Sequence, residues 1–448
     1  MEVVYEHCCG LDIHKKTVVA CVVVSGSGKQ PHKEIRTFNT MTADLLELAD
    51  WLTAQRVTHV ALESTGVYWK PAWNVLESSF TLLLVNARHI KQVPGRKTDV
   101  KDGEWIADLL RHGLLRASFV PDRPQRELRE LTRYRTTLVR ERSAERSRIQ
   151  KTLEGAGIKL GDVASDVLGA SGRQMLEALV RGVTDASLVA DMAKGSLRGK
   201  RPQLERALTG EFGAHQRFLV GQQLAHLDGL DVLIDQLSQE IGERLRPVQD
   251  KIERLDDITG VGLRTAQVFL AEIGTDVKRF PTAAHLASWA AMCPGNNESA
   301  GKRKSGRTGK GNQWLRTALV EAAHAVSHTK DTYLYSQFHY VAARRGKKRA
   351  LVAVGHSILR IIWHLLEHVS AVLERRDCQG TSVDRFRSCV VLGLRCGLRT
   401  QPVAIGQPNI APGEVWQARD QRLVALLRLP PLTQAPQRLS FSAQEVAQ

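Results

Sequence analysis

What the 448-residue chain has little of narrows its chemistry first. Its seven cysteines, at 8, 9, 21, 293, 378, 389 and 396, form no CxxC pair, and no nearby histidine completes a zinc spacing. That pattern argues against a disulfide framework and a structural zinc site; the thiols read as reduced groups of a cytosolic protein. No uninterrupted apolar run reaches the roughly 18 residues of a membrane-spanning helix. Residues 1–24 lack a basic segment ahead of an apolar core and cleavage site, so no secretory leader is expected. Acid is scarce too: 47 Asp and Glu stand against 63 Lys and Arg, a net charge of +16. A surplus of that size points to a polyanionic partner, nucleic acid before membrane.

What is present looks globular, with 43% apolar and 25% charged residues. The length asks for two or three domains. Residues 1–118 read as α/β. "HCCGLDIHKKTVVACVVVSGSG" holds two strand-like runs, one ending near Asp12 and one at Thr17–Val24. "DLLELADWL" has helical spacing, "VTHVALE" is a buried-strand run that stops at Glu63, and "TLLLVNA" is another. A Pro-Gly turn at 94–95 and a helix follow.

Residues 119–255 read as a helical region, with scattered glycines and weaker periodicity at about 155–213 that suggest an irregular or helical insertion. Arg123 to Lys151 is Arg-rich, with Leu128, Leu131 and Leu138 on one stripe. Further on, Leu230, Ile234, Leu237, Ile241, Leu245, Val248, Ile252 and Leu255 recur at steps of three and four. That spacing predicts one long helix of coiled-coil type, kinked at Pro247. Residues 256–376 predict an all-α unit, and 377–448, where Pro and Gln accumulate, a poorly ordered tail.

Asp12 and Glu63 each end an apolar run, where open α/β sheets place their sites. Asp99 and Asp102, in "GRKTDVKDGEWIADLLRHG", stand at i and i+3 and repel one another on a shared helix face. Four convergent carboxylates need positive charge between them, and oxygen-only donors suit Mg²⁺ or Mn²⁺. Two such ions clamp an in-line displacement at phosphorus, with Arg96 and Lys97 placed to approach the phosphate. The plainer alternative is a set of turn-forming and helix-capping acids.

Ser299 lies in "NNESAGKRKSGRTGKGNQWLR", with Lys302, Arg303, Lys304, Arg307, Lys310 and Arg316 after it and no acid among them. A hydroxyl there can attack a phosphodiester and conserve the bond energy in a phosphoserine link. Equally, the loop can grip the backbone with Ser299 as a simple donor. "ITGVGLRTA", residues 258–266, resembles a helix-hairpin-helix turn in which Gly260 and Gly262 present N–H groups to phosphate; a plain helix junction fits as well. The Arg-rich helix, with Arg133 and Arg140, reads as a backbone contact or as a solvated face.

Taken in order, "GLDIHKK", "ALESTGVYWKP", "KTDVKDGEWIADLL", "ITGVGLRTAQVFLAEIG" and "ESAGKRKSGRTGKGNQWLR" resemble insertion-sequence transposases of the IS one-ten type, across residues 4–370. These are the DEDD recombinases, which include the Piv-like DNA invertases. The resemblance implies a RuvC-type, RNase H-like α/β domain with Asp12, Glu63, Asp99 and Asp102 as its acids. It implies a coiled-coil middle that assembles homodimers or homotetramers, and an all-α C-terminal transposase domain carrying Ser299. It further implies Mg²⁺-assisted serine attack on double-stranded donor and target DNA, guided by a structured bridge RNA, in the bacterial cytosol and nucleoid without a membrane. Two departures from the family pattern stand out: Ala300 separates Ser299 from Gly301, and the downstream stretch reads "TGKG". The rival readings are a metal-dependent Holliday-junction resolvase or structure-selective nuclease using water, and a non-catalytic nucleic-acid scaffold. The scaffold does not explain acids at the ends of two separate apolar runs.

Overall fold

The apolar runs near the N-terminus fold into a mixed sheet of five strands in the order β3-β2-β1-β4-β5. These are β1 (His7–Ile13), β2 (Thr17–Val24), β3 (His32–Asn39), β4 (His59–Glu63) and β5 (Thr81–Val85). In this computed structural model, residues 2–25, 31–64, 66–86, 102–295, 297–299 and 302–376 are described. Strands β1, β2 and β3 pair antiparallel, while β4 and β5 extend the other edge in parallel with β1. Strand β3 escapes the sequence patterns because only Phe38 in it is buried; a polar edge strand leaves no apolar run.

Period-two alternation divides the sheet's side chains between two helical layers. Cys9, Leu11, Ile13, Ala20 and Leu62 pack with α1 (Thr42–Ala54) and α2 (Trp69–Leu76) on one face. Cys8, Cys21, Ala61 and Val85 pack on the other face with α3 (Asp102–Arg111). Cys8, Cys9 and Cys21 are free thiols in this interior, and burial pushes the Cys8 thiol up to about 12.

Helix α4 (Arg123–Gly155) starts with Pro124 in its first turn and is tied to the sheet layer by Arg126, which donates to both Glu77 carboxylate oxygens at 2.7 and 2.9 Å. It runs for about 50 Å. Four short helices follow: α5 (Leu160–Val163), α6 (Ala170–Val180), α7 (Ala186–Ala190) and α8 (Arg201–Leu208). They bury Met175, Leu176, Val189 and Leu204 against the end of α4 and the start of α9 (Ala214–Leu245). The insertion is therefore a helical layer with its own core.

Helices α4 and α9 form an antiparallel hairpin. Leu138 meets Leu230 and Ile234 at its seam, Arg142 pairs with Asp231, and Arg244 reaches Glu127 at 3.1 Å. The stripe from Leu230 to Leu245 thus closes on a helix of its own chain. The single helix expected over 230–255 is corrected: α9 stops at Leu245, a short 3₁₀ turn spans Arg246–Val248, and α10 (Gln249–Asp256) restarts beyond it. Pro247, without an N–H to donate, sits in that turn.

The chain divides into two units that part between Arg246 and Pro247. In the second, α10, α11 (Leu263–Ile273), α12 (Ala283–Trp289), α13 (Gln313–Val326), α14 (Tyr333–Arg345) and α15 (Lys347–Arg376) surround a core that includes Phe269, Leu319 and Ile358. Lys347–Glu367 is long and apolar enough by length and composition to cross a membrane, with mean hydropathy 1.3. Its Ala350, Val354, Ile358 and Ile362 are buried within this unit, the pattern of a core helix. Asp99, Arg96, Lys97 and the tail 377–448 lie outside the described residues.

Candidate active site

Strand pairing brings two of the acids together. The β1–β4 register runs from Cys8 opposite His59 to Leu11 opposite Leu62, so Asp12 and Glu63 come next on adjacent parallel strands. Both share the parity of Cys8 and Ala61, which places them on the α3 face of the sheet. Asp102 opens α3, and the next residue, Gly103, lies against β1: a methyl on Gly103 would sit 3.4 Å from the Gly10 carbonyl and 3.7 Å from the Asp12 amide. Three acids from three distant segments therefore gather at one end of one sheet face.

The sequence patterns missed His14, whose Nε2 lies 3.1 Å from the Asp12 carboxylate. The His14 backbone amide donates to the Thr17 carbonyl at 2.9 Å, closing the β1–β2 turn that carries the imidazole. The spacing Asp-x-His at a strand end was the available signal.

Asp12, Glu63 and Asp102 offer only carboxylate oxygens, the donor chemistry of Mg²⁺ or Mn²⁺. Their donor chemistry suits a divalent cation, and pairing and parity put Asp12 and Glu63 on one sheet face. Among the described residues no three His, Cys, Asp or Glu side chains stand close enough together to hold one, and Asp99 lies outside them.

In the second unit the basic loop is a hairpin. β6 (Asn297–Ser299) pairs antiparallel with β7 (Lys302–Ser305), Ser299 opposite Lys302, and a further bridge joins Pro294 to Thr308. Ser299 thus ends β6. The hairpin's base is built from side chains. Arg316 donates to the Gly309 carbonyl at 3.0 Å and to Thr308 Oγ1 at 2.7 Å. Asn312 accepts from the Trp314 and Leu315 amides, capping α13, while its Nδ2 donates to Glu272 at 2.7 Å. Glu272 is fully buried, so this bond pins the hairpin's end to the unit's core.

Two sequence candidates acquire structural explanations. Gly260 has φ +84°, and a methyl there would lie 2.5 Å from the Ala322 carbonyl, so this glycine seats the turn against α13. Gly262 precedes α11 and is exposed. On α4, Arg123, Arg126, Arg142, Arg146 and Arg148 pair with acids of the same unit, which spends much of that helix's charge internally. Arg140 is exposed and Arg133 half-buried; Arg307 and Lys310 are exposed.

Comparison with known proteins agrees with these motifs. Residues 9–158 match the DEDD IS110 model, described as a transposase, and residues 252–339 match the model "Transposase IS116/IS110/IS902 family". A "Probable family 20 transposase" of Pseudomonas aeruginosa is 26% identical over 314 residues, covering 68% of this chain and 83% of that one. The "Insertion element IS110 uncharacterized 43.6 kDa protein" of Streptomyces coelicolor is 27% identical over 303 residues, covering 61% and 71%. The class is a transposase, an enzyme that cleaves and rejoins DNA. Within that class, the chain belongs to the IS110 family of insertion-sequence transposases.

Proposed function

We propose that the protein moves its element by serine-mediated strand exchange, with Asp12, Glu63, Asp99 and Asp102 holding Mg²⁺ or Mn²⁺. The observation that carries this is that Asp12 and Glu63 directly follow the paired residues Leu11 and Leu62 on adjacent parallel strands, on the face where Asp102 opens α3. The strand order, three antiparallel strands followed by two parallel ones, supports an RNase H-like, RuvC-type domain. A bound cation would neutralise phosphate charge and ease loss of a hydroxyl proton.

Ser299 is the nucleophile. Its Oγ forms a bond to phosphorus as the bond to a deoxyribose oxygen breaks; the serine proton leaves and the departing oxygen gains one. Attack by a deoxyribose hydroxyl on the phosphoserine reverses the step and joins the strands, with Ser299 restored. Lys302, Arg303, Lys304, Arg307 and Lys310 neutralise the phosphates on either side. A structured bridge RNA selects donor and target, the working species is a homodimer or homotetramer, and the protein works in the bacterial cytosol. The charge of +16 suits two nucleic-acid partners.

The test is strand cleavage by the full-length protein with its flanking RNA, donor and target DNA. Removing divalent metal, or changing Asp12, Glu63, Asp99 or Asp102 singly to Ala, abolishes cleavage if the acids hold the ion. Full activity in chelator or in all four variants refutes the acidic site.

A further inference from the structure

A dense run of exposed positive charge lies on a segment that none of the motifs includes. Helices α14 and α15 are joined by Gly346 alone. Its φ of +81° lets its N–H donate to the Ala342 carbonyl at 2.9 Å, while its carbonyl accepts from the Ala350 amide at 3.2 Å. Around this elbow Arg344, Arg345, Lys347, Lys348 and Arg349 are all exposed.

Local energetics favour part of this arrangement, since Arg344 and Arg345 lie in the last turn of α14, and oppose the rest. Five like charges crowd one elbow, and three of them occupy the first turn of α15, where the helix dipole disfavours cations. Among the described residues, no ion pair joins any of the five to an acid. Between Thr332 and Leu366 the sequence contains no Asp or Glu. Asp331 and Glu367 stand roughly 20 and 27 Å along their helices from the elbow's nearest cations, beyond the Debye length of about 8 Å. Glu321, on the packed helix α13, is exposed and makes no ion pair with the five. The contrast with α4, whose arginines find acids, is direct. Sequences that break a local rule without internal compensation do so at functional positions.

We propose that this elbow is a phosphate-backbone contact for duplex DNA, additional to the hairpin at 294–308. The inference rests on the chain's action on DNA. Arg344 lies over the Tyr340 ring at 4.1 Å, which covers one face of that aromatic and makes it a poor stacking platform for an unpaired base. Exposed point charges instead suit the regular phosphate rows of a duplex, giving affinity without sequence preference.

The experiment measures binding of the full-length protein to a labelled duplex of arbitrary sequence across a salt series. The variant Arg345→Ala/Lys347→Ala/Lys348→Ala leaves the Arg344–Tyr340 contact in place. It is expected to bind about 10- to 100-fold more weakly and to lower the slope of log K against log salt by about 2 to 3. The charge-preserving variant Arg345→Lys/Lys347→Arg/Lys348→Arg is expected to bind as wild type, and both variants to melt as wild type. Wild-type binding with an unchanged alanine variant overturns the elbow contact alone. Failure of the wild type to bind duplex at all overturns duplex binding and the elbow together. A loss confined to a structured RNA probe assigns the elbow to RNA and overturns the proposal.

Discussion

Gly10 on β1 and Gly103 on α3 meet backbone to backbone: a methyl on Gly10 would lie 2.3 Å from the Gly103 carbonyl oxygen and 2.4 Å from the Ala107 amide. Neither atom belongs to a flexible side chain, so α3 must shift as a body to admit one. This close approach seats Asp102 over the end of β1 that carries Asp12.

Gly10→Ala is therefore expected to destabilise the protein by about 3 kcal/mol, at the upper end of overpacking costs, and to abolish strand cleavage. At Gly103 the same methyl meets the Val19 and Gly10 carbonyls at 3.3 and 3.4 Å, so Gly103→Ala is expected to cost less than half as much. Thermal melts and a cleavage assay on both variants check the order.

Asn312 both caps α13 and donates to the buried Glu272. Asn312→Ala removes the cap and a donor to a buried carboxylate, for a loss of about 2 kcal/mol. Asn312→Asp keeps the cap but sets a second carboxylate against Glu272, so it is expected to be the less stable of the two at neutral pH and to regain ground in acid. Melting curves at several pH values decide.

The Arg126 guanidinium holds the Glu77 carboxyl below its ordinary value, with a smaller contribution from the Trp73 N–H. A depressed carboxyl contributes stability above its unfolded pKa and loses it as pH falls through the folded one. Arg126→Ala should lower stability by about 1 kcal/mol at pH 7. The gap should close as the pH falls through and below the ordinary carboxylate range, as read by urea unfolding of both proteins.

Ile234 is buried in the α4–α9 seam beside Leu138 and Leu230. Ile234→Ala is expected to cost about 2 to 4 kcal/mol even in a monomer, because the seam is intramolecular. If the loss appears only above an association concentration, the stripe instead serves contacts between copies.

The sheet was legible where burial leaves a pattern. Continuous runs such as "VTHVALE" marked β4, and the acids at their ends marked Asp12 and Glu63. Polar β3 left no such trace. The Gly10–Gly103 contact was invisible because it joins segments more than ninety residues apart and involves no side chain. The cations of α4 looked free because partners such as Asp231 lie 89 residues away in sequence. In the same way, the stripe from Leu230 to Leu255 looked continuous because periodicity does not register that Pro247 ends one helix and Ile252 enters another core. The elbow at Gly346 leaves no sequence signal of its own, because a helix-to-helix junction of one glycine interrupts neither helical run.

The most direct measurement of the central claim is a denaturing gel for covalent protein–DNA adducts. It uses purified protein with its flanking RNA, donor and target DNA and Mg²⁺, comparing wild type with Ser299→Ala and Asp102→Ala. Serine exchange assisted by the acidic site gives an adduct in the wild type that both variants lose. DNA cleaved without an adduct, surviving Ser299→Ala but not Asp102→Ala, would contradict it and leave a water-using nuclease site on the N-terminal sheet.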